Sequence, residues 1–102
     1  MYVSPKDTLN SVHAWFQART YHAPRQQDWT PEADLYLDYQ RHAEAAGIRP
    51  SKRAGRTAFS AELQGLTRRQ PQLRLAKPIN GGPERNLPFW PRVLRAARQL
   101  AA

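Results

Sequence analysis

The segment "SKRAGRTAFSAEL", Ser51 to Leu63, brings guanidinium, ammonium and hydroxyl groups together around two apolar residues. Phe59, Leu63 and Leu66 stand at i, i+4 and i+7, the spacing that sends one face of a helix into a core. Arg56, Thr57, Ser60 and Gln64 fall away from that face. Their chemistry suits the edges of base pairs: Arg bonds guanine through two parallel N–H groups, Gln bonds adenine in the same forked manner, and Thr or Ser takes a base edge or a phosphate. Ser51, Lys52 and Arg53, in the turn ahead of the helix, suit phosphates. Further phosphate candidates follow: Arg68 and Arg69 after the helix, then Arg74, Lys77 and Arg85 around Gly81 and Gly82, where glycine lets backbone approach a ligand closely. Glu62, an anion, belongs outside such a surface.

Other chemistries have less support. The chain has no cysteine, so thiolate metal sites and disulfides are excluded, and His13, His22 and His42 lack metal-ligand spacing. No catalytic residue, metal or cofactor is expected: Asp38 and His42 read as an ion pair on a helix surface, without a nucleophile or phosphate loop beside them. "NGGPER" lacks the Gly-x4-Gly-Lys-Ser/Thr frame of a nucleotide-binding loop. Trp15, Phe16, Tyr36, Tyr39 and Phe59 occupy apolar helical positions and are read as core, and Phe89 and Trp90 as anchors of a hairpin.

Charge divides unevenly. Up to Ile48 there are four basic residues (Lys6, Arg19, Arg25, Arg41) against six acidic ones (Asp7, Asp28, Glu32, Asp34, Asp38, Glu44). From Arg49 onward twelve basic residues face only Glu62 and Glu84, within a chain of net charge +8. A cationic half of this kind points to a polyanionic partner, because each cation that neutralises a phosphate releases condensed counterions. No stretch is apolar enough for a membrane span and no signal peptide opens the sequence, so a soluble, cytoplasmic protein is expected.

These side chains need elements to hold them. Pro5 to Tyr21 reads as an amphipathic helix capped by Ser4 or Asp7, with Leu9, Val12, Trp15, Phe16 and Arg19 in helical spacing. "HAPRQQDW" is a loop with a short extended piece at Trp29. Thr30 as N-cap, Pro31 at the first helical position and Gly47 as the stop mark a second helix, whose stripe is Leu35, Tyr36, Tyr39 and Ala43 and which leaves Asp38, Arg41 and Glu44 to water. A third helix runs from about Ala54 to Thr67. "QLRLAKPI" and "NLPFWPRV" flank "NGGPER" as a β-hairpin. Pro91 opens either a last helix over residues 91–102 or a continued strand through Val93. The fold class is therefore mainly α with a small β-hairpin, a single domain over residues 1–102 with the element order of a winged helix, that is, a helix-turn-helix followed by a β-wing.

The stretch "TPEADLYLDYQRHAEAAGIRPSKRAGRTAFSAEL" also resembles the C-terminal winged-helix domain of phage and plasmid primase–helicases, the kind attached behind a D5-like ATPase. Leu35, Tyr36, Tyr39, Gly47, Pro50, Ser51, Phe59 and Leu63 stand at the positions of that pattern, over roughly residues 9 to 66. His42 stands where the family often carries tryptophan. The resemblance implies binding of double-stranded DNA in the replication of a mobile element or in transcriptional control, with no catalysis. It leaves open whether the chain works as a homodimer or inside a larger replication protein. The rival expectation is a phage-type interaction module or inhibitor whose basic face meets a protein.

Overall fold

The computed structural model describes the backbone of residues 5–95 and the side chains of residues 11–95. Helix α1, Pro5–Arg19, carries Val12 and Trp15 on its buried side. The expected caps and Leu9 lie outside the described side chains. Helix α2, Glu32–Ala45, buries Leu35, Tyr39 and Ala43, and helix α3, Arg56–Thr67, buries Phe59 and Leu63. The expected helical stripes thus meet in one core, with Trp15, Tyr36, Tyr39 and Phe59 packed ring against ring at centroid separations of 5.0–6.0 Å. Each large side chain fully buried there contributes roughly 1.5–3 kcal/mol from its transfer out of water.

Helix α2 stops where glycine permits the left-handed turn. Gly47 has φ +78°, Ile48 N–H donates to Ala43 O and Gly47 N–H to Glu44 O, the paired bonds of a Schellman close. A single 3₁₀ turn, Pro50–Lys52, then leads to α3.

Among the described residues there are also five short strands: β1 (Thr20–His22), β2 (Thr30–Pro31), β3 (Gln72–Ala76), β4 (Arg85–Trp90) and β5 (Arg92–Leu94). The expected hairpin is β3–β4, antiparallel, with Leu73 opposite Pro88 and Leu75 opposite Asn86. It is part of a larger sheet, since β2 pairs with the far side of β4 to give the order β2-β4-β3. Thr30 is therefore no helix cap. It pairs with Trp90 in register, its Oγ1 donates to Arg92 O at 2.6 Å, and α2 starts from an extended Pro31 with no side-chain cap. Strand pairing won over capping because Thr30 sits where both are open to it. After β4 the chain continues as β5, antiparallel to β1, so of the two readings of Pro91 onward the strand holds for Arg92–Leu94, and residues 96–102 lie outside the described ones. Over the described residues the chain is thus three α-helices with small antiparallel sheets, a mixed α/β arrangement.

Asp38, expected in water, instead ties α1 to α2. Its carboxylate accepts from Trp15 Nε1 at 2.8 Å and from Arg19 Nε and Nη2 at 3.1 Å each. Its partner is thus Arg19, and not the expected His42. Burial pushes the Asp38 carboxyl up, but the hydrogen bonds from Arg19 and Trp15, with the charges of Arg19 and His42, outweigh it and hold the group below the ordinary carboxylate range. The same bond, against some burial, raises the Arg19 guanidinium. A folded value below the unfolded one of about 3.9 means stability present above that pH and lost as pH falls through the folded value. Asp38→Asn is expected to cost about 1–2 kcal/mol at pH 7. In urea titrations the gap between wild type and variant should close as pH is lowered below about 4; a gap constant from pH 7 to pH 3 refutes the assignment.

Candidate nucleic-acid interface

The entry to α3 is fixed by α2. Tyr36 OH donates to Ala54 O at 3.0 Å, and Ala54 N–H donates to Tyr39 OH at 2.8 Å. Both polar groups of the Ala54 peptide flank are thereby held, and Tyr39 OH shares a further bond with Ser11 Oγ on α1. The two tyrosines of the α2 stripe therefore pin backbone as well as fill core. Their spacing signals burial, but nothing local in sequence signals the hydroxyl partner.

Helix α3 then presents an outward side that is bare. With about 100° between successive residues, Ala61 lies about 200° from both Phe59 and Leu63, directly away from the core. Thr57, Ala58, Gln64 and Gly65 are exposed beside it. Of the base-edge candidates, Thr57 and Gln64 lie on this side. Ser60 is half-buried, turned toward the flank of the core. Arg56 is exposed but engaged: its Nε donates to Glu32 Oε2 at 2.7 Å and its guanidinium lies 5.6 Å from the Tyr36 ring centroid. Glu32, only 8% exposed in its side chain, also accepts Trp90 Nε1 at 2.9 Å on Oε1. One carboxylate thus joins the starts of α2 and α3 to the end of β4.

Cations precede and follow α3 in the chain, forming a basic rim in sequence. At its N-terminal end Ser51 is exposed and Lys52 and Arg53 are half-buried, with Arg53 Nε donating to Ile48 O at 2.8 Å. Arg49, which sequence reasoning left out, is exposed in the same turn. At the C-terminal end Arg68 closes α3 in the left-handed conformation, φ 57° and ψ 36°, a geometry that costs a non-glycine residue about 1–2 kcal/mol. Arg69 and Arg74 lie over the Trp29 ring at 5.5 and 5.3 Å, and Arg74 also over Phe89 at 4.9 Å, so both cations are braced by aromatic faces. Lys77 and Arg85 are exposed at either side of the hairpin loop. Among the described residues from Arg49 onward, Arg56 is the cation with a carboxylate within 4 Å; the others stand without an ion pair.

Burial, then the charge of Arg95, lowers Arg92, whose guanidinium lies 3.9 Å from the Phe16 ring centroid while Nε donates to Thr20 Oγ1. Burial also pushes the Asp34 carboxyl up. Both sit away from the rim in sequence and bear on packing. No group of three or more His, Asp or Glu among the described residues is placed to hold a metal ion, and no described helix is long and apolar enough to cross a membrane. Comparison with protein-family models, with curated proteins and with solved structures finds no match to this chain.

Proposed function

We propose that this chain is a winged-helix module that binds double-stranded DNA, setting the outward side of α3 in the major groove and the β3–β4 hairpin along the flanking backbone. The observation that carries the reading is the surface of α3 itself: an exposed side of small and amide-bearing residues, on a helix flanked in sequence by a rim of cations without carboxylate partners among the described residues. A helix whose side chains do not crowd it approaches base edges closely, and the rim supplies the sequence-independent attraction. The topology is compatible with the same reading: α2, a short turn and α3 are followed by the β3–β4 hairpin, to which β2, ahead of α2 in the chain, adds a third strand. In this reading Thr57 and Gln64 meet base edges, and Ser51, Lys52, Arg53, Arg68, Arg69, Arg74, Lys77 and Arg85 meet phosphates. Arg56 orients the helix. The module is a binding protein with no catalytic step, and its setting is replication initiation of a mobile element or control of transcription.

The test is duplex binding by fluorescence anisotropy across a salt series. With seven cations on phosphates, affinity should fall roughly 6,000-fold between 50 and 200 mM salt. Arg68→Gly separates charge from fold. Glycine relieves the left-handed strain, so the variant should melt a few degrees higher, by about 1 kcal/mol, while its salt slope drops by about one. Binding that ignores salt, or that is absent with every duplex from a random pool, refutes the proposal.

A further inference from the structure

The hairpin carries a second surface. In the antiparallel register Leu73 faces Pro88 and Leu75 faces Asn86, so these four side chains share one face of the sheet. Gln72, Arg74 and Ala76, with Phe89, Leu87 and Arg85 opposite them, share the other. Leu73 and Leu75 are 64% and 67% exposed, and Ile79 beyond them 57%: three large apolar side chains in water on one short stretch. Moreover, β3 is the edge of its sheet, and an edge strand presents unpaired backbone donors and acceptors. Pro71 and Pro78 bracket it, which confines that edge to about one short strand's length.

We propose that the β3 edge takes up an extended acidic segment of a partner protein, which adds to the sheet as a fourth strand. Charge selects the occupant. Lys77 and Arg85 are exposed and have no carboxylate within 4 Å among the described residues, while Arg74 is held by Gln72 Oε1 and packed over Phe89 and Trp29 and adds to the cationic field of the strand. A second copy of this chain would pair QLRLA antiparallel about its centre and set Arg74 against Arg74, cation on cation. An incoming strand of alternating character fits both faces instead. Apolar residues at every second position cover Leu73 and Leu75, and the carboxylates between them lie, across the small Ala76, toward Arg85, with Lys77 at the strand's end. Main-chain bonds supply attachment and the alternation supplies selection, as in other strand-addition interfaces.

The experiment needs no DNA, so its outcome stands apart from the duplex reading. A fluorescein-labelled, terminally blocked seven-residue peptide alternating glutamate and valine is titrated with the full chain, beside a peptide of the same composition with its valines contiguous. The alternating peptide should bind at least tenfold more tightly. The double variant Leu73→Ser, Leu75→Ser should lose at least tenfold, with an unchanged circular dichroism spectrum because both side chains are exposed. Equal binding of the two peptides overturns the proposal by reducing it to charge, and absence of binding overturns it outright. A dimer in sedimentation velocity that the double variant disperses assigns the edge to a second copy and also overturns it.

Discussion

Glu32→Ala should destabilise the protein by about 3 kcal/mol, more than removal of any of its exposed charges. The substitution leaves Trp90 Nε1 without an acceptor in a site where the indole is fully buried, a cost of about 1–3 kcal/mol. It also removes the ion pair with Arg56. That pair is half-exposed on the arginine side, 49% against 8% for Glu32, so solvent screening limits its share to less than about 1 kcal/mol. The loss of an anion from the first turn of α2 adds a few tenths of a kcal/mol, roughly. For a chain of this size the sum lowers the melting temperature by roughly 12 °C or more. Glu32→Gln keeps an acceptor for Trp90 and surrenders only the charge, so it should cost about 1 kcal/mol. Thermal melts of the two variants decide the matter: equal losses show that the indole bond contributes nothing, and no loss in either removes Glu32 from its joining role.

Glu32 also shows why parts of the site were not legible in the sequence. Its position in the first turn of α2 has a sufficient local explanation in the helix dipole, and the partner that gives it a second role, Trp90, lies 58 residues away. Asp38 is similar, since its donors Trp15 and Arg19 come from another helix. Local periodicity, by contrast, carried the three helices, because Leu35, Tyr39 and Ala43, or Phe59 and Leu63, are repeats long enough to express a helical period. Strands of two or three residues, such as β1, β2 and β5, have no period to express, and Thr30 at a strand end looks the same as Thr30 at a cap.

The face of α3 differs from its donor-bearing residues for a different reason. Attention to residues with donors favours Arg56 and Ser60, whereas the direction away from the core is set by geometry and belongs to Ala61, with Thr57, Ala58, Gln64 and Gly65 around it. Small residues offer no hydrogen bonds and so attract no notice in a search for chemistry. Arg56 carries a second lesson: its removal disturbs Glu32 and the start of α3, so weakened DNA binding by an Arg56 variant would not separate contact from misplacement. The division of charge at Arg49 was legible because it needs only counting.

Ala61→Glu is the sharper probe of the interface, and it should reduce duplex affinity at least a hundredfold while leaving the fold intact. Ala61 is exposed at the centre of the outward side, so glutamate there meets no packed neighbour and changes stability by about 0.5 kcal/mol or less. In the groove it brings a carboxylate and a longer side chain toward base edges and phosphates. Like-charge juxtaposition in an interface costs several kcal/mol, and the added bulk holds the helix backbone away from the bases it would read. Ala14→Glu on α1, also exposed, changes net charge by the same amount and should lower affinity only a few-fold, through the general field. The pair distinguishes a located contact from a merely basic protein. Should the two variants lose affinity equally, the attraction is unlocalised and α3 is not the reading element. If Ala61→Glu alone collapses binding with an unchanged melting temperature, the small-residue side of α3, more than its arginine, is the surface that meets DNA.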